Sequence, residues 1–246
     1  PLADKIAALL PQANCGACGK AGCQDFANAC VNADAEAFAH LYCPVGGSKV
    51  MNEVAKRLGY STPEHEPTVA VLHCNGTCEN APDKVEYIGL QSCRLANRAF
   101  VGKTGCPNGC LRLGDCVRNC PFGAIEMDDQ TGLPRVNPDK CTSCGACVRI
   151  CPRGLYEIRP RGKNGIMVYV ACSNKQKGAT ARKNCKAACI ACMKCTKICP
   201  EVTVEENLSR IPPSVSAKLY GAELAAGCPT GAIVYTGAKR DKNEQN

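Results

Sequence analysis

The 246-residue chain has no tryptophan, only four phenylalanines and only seven tyrosines. A conventional core at this length uses more large side chains, so something else must fill and tie the interior. Histidine is scarce too. His40, His65 and His73 are the only three, and none falls at the C…H-x3–5-H spacing of a zinc finger. No run approaches 18 consecutive apolar residues, which excludes a membrane-crossing helix in the chain as given. There is no charged start followed by an apolar stretch and a small-residue cleavage site, so a secretory signal is excluded. The chain begins with Pro1, and residues upstream of it are expected to be missing. A Walker loop, a G-x-G-x-x-G after a strand and a nucleophile–base pair are all lacking, so no bond-making site is expected. The glycines of GCLRLG (109–114) open a cysteine loop and are read as ligand geometry.

What the chain has is cysteine, 23 in all. Disulfides are disfavoured by the odd count, by the missing signal and by the spacing, which runs in C-x2-C and C-x3-C-P groups. C-x-x-C-H, the haem attachment pattern, is absent. Proline after the last cysteine of a run is a mark of iron–sulfur ligation.

The formal net charge is +8. Such a charge fits nucleic acid or an anionic surface. However, Lys and Arg are dispersed and few aromatics interleave them, so no nucleic-acid partner is expected. A [4Fe–4S] core with four thiolates carries about −2, so four of them contribute roughly −8 and bring the holo-protein near neutrality.

Residues 1–60 read as helical, with segments at 6–11, 25–42 and 48–60, the last opening at Ser48 and closing at Gly59. Residues 61–68 carry two prolines and read as a linker. From 69 onward short β-like runs appear at 69–74, 124–127, 155–158, 166–172 and 232–236, separated by cysteine groups and Gly/Pro turns. The polar end, 238–246, reads as a disordered tail. An internal repeat is visible. Cys93-x12-Cys106-x3-Cys110 is echoed by Cys172-x12-Cys185-x3-Cys189, and each is followed by Cys-x3-Cys-Pro.

The clearest motif is CTSCGACVRICP (141–152), a full C-x2-C-x2-C-x3-C-P. In two-cluster ferredoxins three close thiolates hold one cubane, and the fourth, before proline, reaches the other. The partner half is CPNGCLRLGDCVRNCP (106–121), with a stretched Cys110-x5-Cys116. One cluster is therefore expected on Cys106, Cys110, Cys116 and Cys151, and another on Cys120, Cys141, Cys144 and Cys147; a half-ferredoxin with a single cluster is the alternative. At the start, NCGACGKAGC (14–23) with Cys43 assigns a third to Cys15, Cys18, Cys23 and Cys43. The plant-type [2Fe–2S] order is reversed here, which favours [4Fe–4S]. Cys30, mid-helix, reads as a packed thiol. CIACMKCTKICP (189–200) is a second full run whose mate has shrunk to Cys228, giving a fourth cluster on Cys189, Cys192, Cys195 and Cys228. Cys74, Cys78, Cys93, Cys172, Cys185 and Cys199 remain. Four of them can hold a fifth cluster across the repeat, or they can be packed thiols.

NCGACGKAGC with CPVGG (43–47), HCNGTC (73–78), Y-x-G-x-x-x-C (87–93) and GCLRLGDCVRNCPFGAI (109–125) together resemble the B subunit of the Rnf electron-transport complex, over about residues 8–236. The resemblance implies an N-terminal membrane anchor upstream of this sequence. It implies electron transfer from soluble ferredoxin, at the cytoplasmic face of the cell membrane, to membrane and flavin subunits of an ion-translocating ferredoxin:NAD⁺ oxidoreductase. Residues 210–229 depart from it, standing where longer members carry a full last ferredoxin pair. A soluble polyferredoxin, or the electron-transfer subunit of a hydrogenase or bifurcating enzyme, is the rival reading.

The expected fold class is α+β. A small helical iron–sulfur domain (1–60), a linker (61–68) and a cysteine-containing connecting segment (69–105) precede tandem ferredoxin-like modules of the bacterial two-cluster type, at 106–160 and, degenerate, at 161–237.

Overall fold

Helical periodicity dominates the first sixty residues. In the computed structural model, which describes residues 1–237, they form α1 (Leu2–Ala7), α2 (Cys23–Asn32), α3 (Ala35–Ala39) and α4 (Gly47–Leu58). The tail at 238–246 lies outside the described residues. The single helix expected over 25–42 is divided. Ala33 is extended, and the Asp34 side chain accepts the Ala37 amide at 2.8 Å, capping a new helix. A short carboxylate that can bond the backbone locally competes with helix continuation. Gly59 ends α4 in the left-handed conformation, as expected, while Ser48 lies inside the helix. Ile6, Phe26, Phe38, Met51 and Val54 form the core of this part, with Cys23, Cys30 and Cys43 buried among them.

The rest is an α+β arrangement of two similar units. The first holds β1 (Thr68–Leu72), α5 (Cys93–Ala99), α6 (Asp115–Arg118), β2 (Ile125–Met127), β3 (Pro134–Val136), α7 (Ala146–Ile150) and β4 (Tyr156–Pro160). β1 pairs antiparallel with β4, from Thr68 opposite Pro160 to Leu72 opposite Tyr156, and β2 pairs with β3. The segment read as a connector therefore contributes β1, one of the two strands of the β1–β4 sheet.

The second unit repeats the order. It holds β5 (Val168–Val170), α8 (Gly178–Asn184), α9 (Lys194–Ile198), β6 (Thr203–Glu205), β7 (Leu208–Arg210), α10 (Ala217–Gly227) and β8 (Ile233–Tyr235). β5 pairs with β8 and β6 with β7. Where the first unit has a cysteine loop and α7, the second has α10, capped by Ser216 and buried through Leu224. A Cβ on Gly221 would meet the Tyr235 ring at 2.4 Å, so only glycine lets α10 lie this close to β8.

The units join along residues 73–75 and 170–173. The His73 ring bridges the Val170 carbonyl (2.7 Å) and Glu157 (2.8 Å). The Asn75 amide donates to Ala171 O, and Ser173 Oγ donates to His73 O. The buried Arg159 donates to Ile211 O at 2.9 Å and pairs with Glu157.

Candidate iron–sulfur sites

All 23 cysteines are free thiols. Three loops that carry them share one backbone signature, a left-handed residue, one residue between, a second left-handed residue, then a short helix. The first positions are Arg112, Ser143 and Ala191, with φ of 60°, 57° and 53°. The second are Gly114, Gly145 and Met193, with φ of 75°, 72° and 59°. Non-glycine residues rarely adopt this region, so its recurrence marks a loop shaped by what it encloses. The residues between are Leu113, Cys144 and Cys192. The first loop is thus the same C-x2-X-x2-C-x3-C-P frame, with leucine where the others carry their second cysteine.

The cavity inside that first loop is lined by Cys93, Cys110, Cys116 and Cys151. Cys106, expected here, does not line it and faces a different cavity. The physical reason is Leu113. It packs with Ala96 and Leu111 and with Cys93, so the start of α5 brings a fourth sulfur to the lining of this cavity. Asp115 pins that end, accepting from Ser92 Oγ at 3.2 Å and from the Arg94 amide at 3.0 Å. Burial opposes its ionisation. The amides of Arg94 and Cys93, the Ser92 hydroxyl and Arg118 outweigh burial and hold the carboxyl below the usual carboxylate range. The C-x5-C spacing, read as a C-x2-C-x2-C with one cysteine replaced, is the sequence signal that points to an outside ligand.

Cys120, Cys141, Cys144 and Cys147 line the next cavity, as expected. The exchange of cysteines before proline is complete, since Cys120 faces the loop of Cys141 and Cys151 faces the loop of Cys116. Thr142 Oγ1 and Ser143 Oγ, on the walls of the second cavity, are buried with no hydrogen-bond partner among the described residues. Such atoms cost about 1–3 kcal/mol each when left unpaired, which fits a cavity built around an acceptor-rich group.

At the N-terminus Cys43 lies among Cys18, Cys23 and Cys15. Gly46 N donates to Cys43 Sγ at 3.4 Å, and Asn14 Oδ1 accepts the Cys23 amide, closing the loop. Cys30 is fully buried in α2, as a packed thiol should be, and burial pushes it up to about 11.

In the second unit Cys189, Cys195 and Cys228 meet in one core, while Cys192 stands exposed on its loop. Ser209 serves two sulfurs, its amide donating to Cys189 and its hydroxyl lying 3.2 Å from Cys195. Burial works against the Cys228 thiolate, but Thr230 and the amides of Ile233 and Ala232 bring it below the usual thiol value. Cys199 is fully buried among apolar side chains. Cys78 is exposed beside Gly132 and Arg112.

Burial pushes Cys147 up to about 12 and raises Cys110 and Cys116. Thiols so placed stay protonated near neutrality unless a metal's charge is present, which inverts the preference. Among the described residues no three His, Cys, Asp or Glu side chains gather tightly enough for a single metal ion. In the first unit the sulfurs stand around shared cavities, which suits a group larger than one ion.

Residues 104–155 match the family described as a 4Fe-4S dicluster domain, and residues 10–38 match a putative Fe-S cluster family. The B subunit of the proton-translocating ferredoxin:NAD(+) oxidoreductase complex of Clostridium ljungdahlii is 40% identical, over all of this chain and 85% of its own length. The chain belongs to the B-subunit family of Rnf-type ion-translocating oxidoreductase complexes. Other members are the B subunits of the ion-translocating oxidoreductase complex of Methanosarcina acetivorans and of the Na(+)-translocating ferredoxin:NAD(+) oxidoreductase complex of Acetobacterium woodii. They are 38% and 41% identical, each over 95% of this chain and over 86% and 68% of their own lengths. Among the described residues no helix is long and apolar enough to cross a membrane.

Proposed function

We propose that this chain is the multi-cluster electron-transfer subunit of an Rnf-type complex, taking electrons from soluble ferredoxin and relaying them to membrane and flavin subunits at the cytoplasmic face. Its two α+β units are read as tandem ferredoxin-like modules, the second having exchanged a cluster loop for α10. Four cubane sites are assigned, to Cys15/Cys18/Cys23/Cys43, Cys93/Cys110/Cys116/Cys151, Cys120/Cys141/Cys144/Cys147 and Cys189/Cys192/Cys195/Cys228. The observation that carries this reading is the reciprocal crossing of Cys120 and Cys151 between two neighbouring cavities, the arrangement of a two-cluster ferredoxin.

A bound [4Fe–4S] group supplies one-electron chemistry with no bond made or broken in the substrate sense. The chain supplies the rest. Thiolates grip, the left-handed loops aim amides at sulfur, and burial excludes water. Hydrogen bonds to sulfur, such as Arg112 N to Cys110 and Ala124 N to Cys120, favour the more negative state. Anaerobic purification, iron and sulfide analysis and reduction by ferredoxin followed by EPR test the reading. At least about 16 iron atoms per chain are expected, four per cubane. About four or fewer would overturn it.

A further inference from the structure

The cavity that Cys106 does line is not one of these four. Its walls include Cys74, Cys106, Cys172 and Cys185, and it lies where the two units meet. Cys74 stands two residues after β1, and Cys172 stands two residues after β5. Cys106 precedes Cys110 by the same four positions by which Cys185 precedes Cys189. The hydrogen bonds repeat as well. The Cys110 amide donates to Cys74 Sγ at 3.4 Å, and the Cys189 amide donates to Cys172 Sγ at 3.4 Å. Each unit therefore offers an equivalent pair of thiols to one shared space.

Every one of these sulfurs is an acceptor. Cys74 also receives the Gly76 amide, and Cys172 receives that of Asn174 at 3.5 Å. Cys185 receives the Ala187 amide. Cys106 receives the side-chain amide of the buried Asn174 at 3.4 Å. Such donor-only surroundings suit thiolates bound to metal. The sulfurs of Cys74 and Cys185, from opposite units, stand 3.4 and 3.9 Å from one point, the place of a Cβ on Gly76.

We propose that Cys74, Cys106, Cys172 and Cys185 hold a fifth [4Fe–4S] cluster at the seam of the two units. The proposal rests on the reading of the other cysteine groups as cubane sites and completes the relay they form. Cys110, which also walls this cavity, belongs to the central site, and Cys189 belongs to the terminal one. Their amides touch Cys74 and Cys172, so the seam site stands between both. One electron arriving from the central site reduces it, and one leaving toward the terminal site reoxidises it, with no bond or proton exchanged. Cys78 and Cys199 are left out, one exposed and away from the cavity, the other sealed in apolar core.

The test is iron and acid-labile sulfide per full chain, with Mössbauer and EPR spectra, for wild type and for Cys106→Ala, Cys185→Ala and the double variant. Wild type is expected to hold about 20 iron atoms, and each single variant about 16, four per cubane. The double variant is expected to lose no more than either single, because the two thiols come from different units but serve one cluster. Singles that keep the wild-type count, or a double that loses twice as much, overturn the seam site. Cys144→Ala serves as reference, since it loses one cluster whether or not a fifth exists. A wild type with about four iron atoms or fewer would instead defeat the underlying multi-cluster reading.

Discussion

The guanidinium of Arg149 donates to the carbonyl of Cys15 at 3.3 Å while holding the Cys144 carbonyl at 3.0 Å. One side chain thus ties the N-terminal cysteine loop to the loop of the first α+β unit. Hydrogen bonds of this kind at a partly exposed site are worth about 1 kcal/mol. Arg149→Ala is expected to leave iron content unchanged and to loosen the N-terminal part. Proteolysis within the exposed 61–67 segment should then quicken by roughly fivefold. An unchanged cutting rate would show that Arg149 is not the tether and turn attention to the tilted Tyr42–His65 ring pair, centroids 3.9 Å apart.

The Tyr156 hydroxyl lies 3.4 Å from Cys116 Sγ and donates to it. The bond grows stronger as negative charge builds on the sulfur, so it favours the reduced state. Tyr156→Phe is expected to lower the potential of that site alone. About 1 kcal/mol of differential stabilisation corresponds to roughly 40 mV for a one-electron couple. A redox titration followed by EPR reads the shift, and a potential that stays put would show that the hydroxyl does not tune it.

Much of this was legible in the chain. Cysteine spacing gave the loops at 14–23, 141–152 and 189–200, and periodicity gave five of the strands and the helical character before residue 60. It did not give the helix bounds, since α1 ends at Ala7 inside the segment expected over 6–11 and α2 and α3 divide 25–42. What escaped has physical causes. β3 (PRV), β6 (TVE) and β7 (LSR) carry one apolar residue each, whereas the equally short β2, β5 and β8 are largely apolar and sit in apolar runs. Glu206 and Asn207, both left-handed, form a tight hairpin turn without the glycine that usually announces one. Cys93 and Cys106 exchanged places because spacing along the chain cannot say which cavity a sulfur enters when a helix lies between them.

Leu113 offers a direct check on that exchange. It occupies the loop position of Cys144 and Cys192, and Cys93, at the start of α5, lines the cavity inside that loop. Cys93→Ala is expected to lose about four iron atoms, one cubane's worth. Adding Leu113→Cys to it should restore them by completing the four-cysteine run. Cys106→Ala with Leu113→Cys should regain nothing, since Cys106 serves another cavity.

Asp115 gives a dependence on pH. Its carboxyl is held below the usual range, so the stabilisation it lends is present above its ordinary value and lost as pH falls through the depressed one. Asp115→Asn is expected to cost about 1 kcal/mol near neutrality, as loss of a capping carboxylate does. The gap should begin to close below about pH 4 and vanish only below the depressed value, where the native carboxyl takes up its proton. Stability measured against pH for both chains checks the sign, and a gap that widens in acid would reverse it.

Removal of iron should not unfold the chain evenly. The N-terminal part keeps a core of Ile6, Leu10, Phe26, Phe38, Met51 and Val54. The second unit, having taken on α10, buries Val168, Val202, Leu208, Ile211, Leu224 and Ile233 together. The first unit's buried apolar side chains are instead divided, with Ala70, Ile125, Cys147 and Tyr156 in one cluster and Ala96, Leu111 and Leu113 in another, around two cysteine-lined cavities. Two-stranded pairings as short as β2 with β3 are marginal without packing behind them. Chelation under anaerobic, native conditions is therefore expected to strip amide protection first from β1 to β4. Protection should persist longest in α2, α4 and α10. Hydrogen exchange read by mass spectrometry gives the order. Simultaneous loss across all three parts would mean that the clusters, rather than these apolar cores, hold every part together.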